Sequence, residues 1–520
     1  MRSTGKRPAP LSTTTDYQVG QDNIQPFGLD IHNLVFPISA VCIVVFVALT
    51  LLFQEQSATL FNELRPWLTT QLDWFFVISV NFFVLFCLYI AFSRTGRVRI
   101  GGPDAKPEFS YPGWLAMLFS AGIGIGLMFF GVLEPVNHML SPPLGITPES
   151  AEAARLGIAA SAFHWGMSAW AVYAVVGLAL AYFTFNHGLP LTLRSAFYPL
   201  LGDRVWGLPG HLIDILAVFA TIFGLATSLG YGAEQVAAGL NELFGIAPTD
   251  VVKVILIIGI TAIAVGSVVA GLDAGVKRLS EINMVMAVLL LLFVFFSGPT
   301  LDLISGFVIG LKDYVTYSIP LSNPIGREDS AFFHGWTTFY WAWWIAWSPF
   351  VGMFIARVSK GRTIREFMVC VLIVPTLFCL LWMTVFGGTA IEQMAGGYDG
   401  VRETVQNWTP ELALYRLLDN LPMSYLMSLV SLVLIVIFFV TSSDSGSLVI
   451  DTITAGGILN PPVPQRVFWC TFEGMVAIAL LLGGGLGSLQ AATVSTGFPF
   501  CIVLLVMCFS LYKGLKHERV

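Results

Sequence analysis

Charge is scarce in this chain: only 11% of its 520 residues are Asp, Glu, Lys or Arg. Soluble globular proteins carry about 25%, so an ordinary water-soluble domain is excluded. The net charge of −6 is spread thinly, with no basic stripe, and no nucleic-acid partner is expected. HExxH, GxSxG and GxGD arrangements are all missing, so no enzymatic role and no cofactor are expected. The seven cysteines (Cys42, Cys87, Cys370, Cys379, Cys470, Cys501, Cys508) include no CxxC pair. They are expected to be reduced structural thiols, not a disulfide frame or a metal site. A cleavable leader is not expected either, because residues 1–32 are polar and the first apolar run starts late and is too long.

What the chain has is apolar length, with 56% of its residues hydrophobic. Twelve stretches reach the roughly 20 residues a membrane helix needs. They fall near 33–53, 72–93, 112–133, 157–184, 211–241, 251–272, 281–310, 335–357, 366–391, 422–447, 464–484 and 488–513. Continuous apolar runs exclude a β-barrel, whose strands alternate. Lys and Arg number 19 on the N-tail, the even-numbered loops and the C-tail, against 7 on the odd-numbered loops. The positive-inside rule then places both termini in the cytoplasm. Loop segments 94–106 (Arg94, Arg97, Arg99, Lys106) and 357–365 (Arg357, Lys360, Arg362, Arg365) carry most of that charge.

Two of these stretches carry helix-breaking signals. The third holds FSAGIGIGLMFFG, residues 119–131, where Gly122, Gly124 and Gly126 fall within five positions and invite unwinding. Unwound backbone in lipid survives only where it lines a cavity inside the protein. The eighth holds Ser348-Pro349, and proline removes a backbone donor. Spans 5 and 10 repeat the same offset of five. Both are rich in hydroxyls: Thr221, Thr227 and Ser228 in one, Thr441, Ser442, Ser443 and Ser445 around Asp444 in the other. Special segments at matching positions of two halves point to a transporter with inverted repeats.

The expected organisation is therefore a polar, disordered N-tail at 1–32 and two leading helices with their loop over 33–110. A first five-helix repeat at 111–311, a connecting segment at 312–334, a second repeat at 335–513 and a short tail at 514–520 complete it. The fold class is an all-α integral membrane protein.

Span 8 also reads FYWAWWIAWSPF, with Trp341, Trp343, Trp344 and Trp347 inside seven positions. Interfacial belts are the ordinary use of tryptophan, but these lie near mid-span. Trp343 and Trp344 each share a helical face with Trp347. Span 4 adds FHWGMSAWAVY, with Trp165, Trp170 and Tyr173. A quaternary ammonium group has no N–H to hydrogen-bond, and its charge is spread over methyl groups. Aromatic faces hold such a cation by roughly 0.5–2 kcal/mol per contact. The lone His164 is expected to make a structural hydrogen bond instead of relaying protons.

GWTTFYWAWW (335–344), continuing into IAWSPFVGMFIARVSKGRTIREF (345–367), closely resembles the signature of the betaine–choline–carnitine transporter family. AGIGIGLMFFGVLEP (121–135), FHWGMSAWAVY and TSSDSGS match its other landmarks. The resemblance implies a leucine-transporter-type core of two inverted five-helix repeats, alternating access, a homotrimer and a bacterial inner-membrane location. It further implies a central cage of Trp343, Trp344 and Trp347, lined also by Trp165, Trp170 and Tyr173. The backbone of Gly122, Gly124 and Gly126 would approach the substrate carboxylate.

A sodium site is implied at the carbonyls of Ser120, Ile123 and Phe438 with the hydroxyls of Thr441 and Ser442, oxygen ligands suited to a hard cation. Thr221 belongs to a second ion site in two-sodium relatives, but the position one turn later is Leu225, which offers no oxygen. Asp444 is an alternative proton site. Gly126 stands where proton-coupled choline carriers tend to have aspartate, which favours a zwitterion. The short tail LYKGLKHERV implies weak osmotic activation.

The resulting expectation is an ion-coupled importer of quaternary ammonium zwitterions, glycine betaine first, driven by sodium or protons. The alternatives are a proton-coupled choline importer and a carnitine or dimethylsulfoniopropionate carrier. A substrate:product antiporter of the carnitine type is disfavoured by Thr441 and Ser442. A transport-inactive sensor is separated from a carrier by uptake alone.

Overall fold

A computed structural model describes residues 15–121, 124–270, 273–516 and 518. It is nearly all helical. The first elements are α1 (Val35–Leu52), α2 (Gln54–Gln71) and α3 (Asp73–Phe92), followed by α4 (Tyr111–Ala121) and α5 (Ile125–Leu140). Next come α6 (Ala151–Trp165), α7 (Met167–Phe185), α8 (Leu208–Phe244), α9 (Asp250–Val269), α10 (Asp273–Ser297) and α11 (Thr300–Ser322). The chain closes with α12 (Thr338–Val358), α13 (Ile364–Ala395), α14 (Ser424–Thr454), α15 (Val463–Leu482) and α16 (Gly485–Lys516). Among the described residues, ten helices are long and apolar enough to cross a membrane, with α6 and α7 forming one 35-residue unit.

The buried core sits on α5 to α8 and α12 to α14, whereas α1, α3, α9, α10 and α11 present exposed Val, Ile, Leu and Phe. Exposed hydrocarbon in such quantity fits a lipid-facing shell around a packed centre. All seven cysteines are free.

Three sequence expectations need correction. The span expected at 281–310 is two helices, because Gly298-Pro299 separates α10 from α11. Proline has no N–H to continue a ladder, and the Thr300 hydroxyl caps the Phe295 carbonyl at 2.8 Å. The expected repeat boundary at 311 thus falls inside α11. Second, α12 runs unbroken through Ser348-Pro349. Pro349 cannot donate to the Ile345 carbonyl, but the Ser348 hydroxyl does so at 2.7 Å. Third, the described part of the N-tail, residues 15–34, packs onto the helices. Asn23–Ile24 and Ile31–His32 pair as short antiparallel strands, and Tyr17 stacks on Trp206 at 4.1 Å. The Asp30 amide donates to Gln465 at 2.9 Å.

Candidate functional site

The site begins where α4 gives way to α5. Gly124 is extended and caps α5, and Gly126, the second residue of α5, lies against the rings of α6 and α12. A Cβ on Gly126 would lie 2.4 Å from the Trp165 ring and 3.3 Å from that of Trp343. Glycine is required here by close approach. Gly122 and Ile123 lie outside the described residues.

Trp343, Trp344 and Trp347 come off consecutive turns of α12. The indole N–H groups of Trp347 and Trp343 donate to the Gly224 carbonyl of α8, at 2.9 and 3.3 Å. Trp344 donates to the His164 carbonyl at 2.9 Å. Each indole is thereby anchored to backbone at its polar edge. Trp343 and Trp344 stack at 5.1 Å, and Trp165 meets Trp344 edge-on at 4.8 Å. Trp170 and Tyr173 form a further edge-on pair at 5.2 Å, and Tyr173 lies 6.4 Å from Trp344. Trp341 points elsewhere and packs on Phe163.

These rings wall a cavity of about 650 Å³, within the range of small-molecule sites. Trp165, Trp170, Tyr173, Trp343, Trp344 and Trp347 all line it, as do Gly124 and Gly126. Part of its wall carries oxygen: Ser120, Ser228, Phe438, Thr441, Ser442 and Ser445 also line it. The Ser120 hydroxyl donates to the Met117 carbonyl at 2.9 Å, and Thr441 donates to Ile437 at 2.9 Å. The cavity runs out past Phe109, Glu281 and Phe354, at the end of the bundle that carries the 94–110 and 357–365 segments.

At the inner end an aromatic layer packs behind the cavity lining. Phe130 and Tyr231 contact Trp343 at 6.1 and 5.6 Å, and Phe130 contacts Trp165 at 6.0 Å. Beyond that layer lies a second cavity of about 190 Å³, lined by Arg65, Phe130, Tyr231, Trp336 and Trp408 among others.

Two expected ion residues stand apart from this wall. Thr221 is buried and donates to the Ala217 carbonyl at 2.7 Å. Leu225, one turn later, packs where a side chain on Gly446 would go. Asp444 is ion-paired with Arg466 at 2.8 Å.

Sequence reasoning missed Glu134. This fully buried carboxylate accepts from Trp165 Nε1 at 2.9 Å, the Tyr340 hydroxyl at 2.6 Å and His164 Nδ1 at 2.6 Å. His164 is therefore not alone, and it does make a structural hydrogen bond. The signal was available, since an acid inside an apolar span is a functional candidate by default.

Comparison with known proteins gives the family. A family model described as betaine/carnitine/choline family transporter matches residues 34–520. A glycine betaine/proline/choline transporter of Vibrio parahaemolyticus is 57% identical over 97% of this chain and 94% of its own. A second protein of that organism, glycine betaine transporter 1, is 52% identical over 97% of this chain and 98% of its own. A glycine betaine transporter of Acinetobacter baylyi is 45% identical over 94% of this chain and 74% of its own.

Proposed function

This chain belongs to the betaine/carnitine/choline transporter family, and we propose that within it the protein imports quaternary ammonium zwitterions, glycine betaine before others. It is a membrane transport protein, not an enzyme. One observation carries the substrate class: three tryptophans of one helix face a cavity with every N–H anchored to backbone. Faces so fixed offer quadrupole and apolar contact to a methylated cation. The zwitterion's carboxylate has the backbone around Gly124 as its partner.

The rest of the mechanism follows from the two cavities. Adding the α4–α5 pair and α12 to the ten long helices makes twelve spans. Two five-helix repeats after two leading helices account for that number. With both termini cytoplasmic, as the Lys and Arg bias favours, the large cavity opens inward and the aromatic layer is the closed outer gate. Outward opening would part Phe130 and Tyr231 from Trp343 and join the small cavity to the cage.

The coupling ion enters as a co-substrate. The oxygens of Ser120, Phe438, Thr441 and Ser442 in the cavity lining suit sodium. The hydrocarbon of Leu225 beside Gly446 favours one sodium over two. Protons through Asp444 are the second coupling reading. A homotrimer in the bacterial inner membrane is the proposed assembly.

A choline importer is the second cargo reading, supported by the name of the Vibrio relative at 57% identity. Gly126 argues for the zwitterion, since glycine at that position supplies no carboxylate beside the cage to balance a net cation. Glycine betaine uptake into proteoliposomes, under an inward sodium or an inward proton gradient with choline as competitor, tests this. Sodium-driven uptake that choline does not block is expected. Proton-driven uptake with choline preferred would replace it with the choline assignment.

A further inference from the structure

Glu134 does not line the cavity, yet it touches what does. A buried carboxylate is costly unless its lone pairs are satisfied. Here Oε1 accepts from His164 Nδ1 at 2.6 Å and from His138 Nε2 at 3.3 Å. Oε2 accepts from Trp165 Nε1 at 2.9 Å and from the Tyr340 hydroxyl at 2.6 Å. The Thr337 hydroxyl lies 2.9 Å from His164 Nε2, so each nitrogen of that imidazole has a partner and four side chains converge on the carboxylate.

Both donors to Oε2 are aromatic. Trp165 is cavity wall, and the Tyr340 ring stacks under Trp344 at 5.5 Å with 13° between planes. An anion at the polar edge of a ring pushes electron density toward its face. Cation–π attraction is electrostatic, so a more negative face binds a cation more tightly. Low dielectric inside the bundle strengthens the effect.

We infer that Glu134 is an affinity-setting positioning residue, whose charge acts from behind the wall to strengthen the Trp165 and Tyr340–Trp344 faces toward a quaternary ammonium. The inference rests on the cargo class proposed above and deepens it. A carboxylate inside the cavity would repel a zwitterion's own carboxylate. One placed behind the rings enhances the cage while leaving the cavity free of acid at Gly126.

The test uses two ligands of one shape on the reconstituted protein. Glycine betaine carries the cation; 3,3-dimethylbutanoate replaces nitrogen with carbon and keeps the carboxylate. Glu134→Gln keeps size and loses charge. Its KM for glycine betaine should rise about tenfold, with kcat within about twofold and the inhibition constant of 3,3-dimethylbutanoate unchanged. Tyr340→Phe keeps the ring and removes one donor, and should raise the same KM about threefold, again for the cation alone. It decides the matter if the Gln variant does not fold. Equal weakening for both ligands would mean that Glu134 only holds geometry, and no weakening would mean it does neither; both overturn the inference. A wild-type protein that takes up no quaternary ammonium would sink the functional reading itself, a result distinct from active wild type with insensitive variants.

Discussion

Replacing Trp347 separates the two things a tryptophan supplies here. Its ring lines the cavity, and its N–H donates to the Gly224 carbonyl at 2.9 Å. Trp343 reaches the same carbonyl at 3.3 Å, so that oxygen is not orphaned when Trp347 is lost. Trp347→Phe keeps an aromatic face and loses the hydrogen bond, about 0.5–1.5 kcal/mol or roughly 2- to 10-fold in affinity. Trp347→Leu also loses a cation–π contact of about 0.5–2 kcal/mol. Together the losses reach roughly 1–3.5 kcal/mol, or about 5- to 300-fold. Calorimetric titration of glycine betaine into the purified protein reads these factors directly. Retention of the elution profile shows that the fold is intact, as α12 stays helical with leucine. A Leu variant that binds as tightly as the Phe variant would refute the claim that the ring face holds the cation.

Other predictions rest on separate parts of the molecule. Gly126→Ala places a methyl 2.4 Å from the Trp165 ring and forces that ring to move. Overpacking of this kind costs about 1–3 kcal/mol, so the KM for glycine betaine should rise at least about fivefold; an unchanged KM would show the ring swings freely. Ser442→Ala removes one wall oxygen and should raise the sodium concentration for half-maximal uptake, whereas unchanged sodium dependence moves the coupling to protons. The third concerns the docked N-tail. His32 is buried beside Arg194 and His211, with Asp214 paired to Arg194. Burial and the Arg194 charge lower its pKa to about 3. Its Nδ1 accepts from the Leu34 and Val35 amides, which a protonated ring cannot do. The free tail binds the proton more readily, so docking is complete above about pH 6.5 and weakens as pH falls toward about 3, by up to about tenfold per unit. A nitroxide at Val19→Cys should gain mobility across that window; constant mobility would contradict it.

Much of the site was legible because it is written locally. Trp343, Trp344 and Trp347 declare a shared face by spacing alone, and Ser120, Thr441 and Ser442 declare oxygen inside apolar spans. Hydropathy found the long helices for the same reason. What it missed depends on contacts distant in sequence. The Glu134 cluster joins α5, α6 and α12, across 31 positions to Trp165 and 206 to Tyr340. The helix α2 (Gln54–Gln71) carries too many polar residues to register as a span. Ser348-Pro349 reads as a break in sequence, yet the Ser348 hydroxyl repairs what Pro349 removes. Residues 15–34 look like a solvated tail until their partners at Trp206, Ala455 and Gln465 are in place.

The central claim is that the cavity recognises a methylated nitrogen by aromatic faces and not by hydrogen bonds. Binding along the series glycine, N-methylglycine, N,N-dimethylglycine and glycine betaine tests this most directly, by titration of one purified protein. Each methyl group removes an N–H donor and adds apolar, charge-bearing surface, so the account predicts affinity rising at every step and greatest for glycine betaine. Affinity that stays level or falls as methyl groups are added would show that donors, and not ring faces, hold the ammonium end.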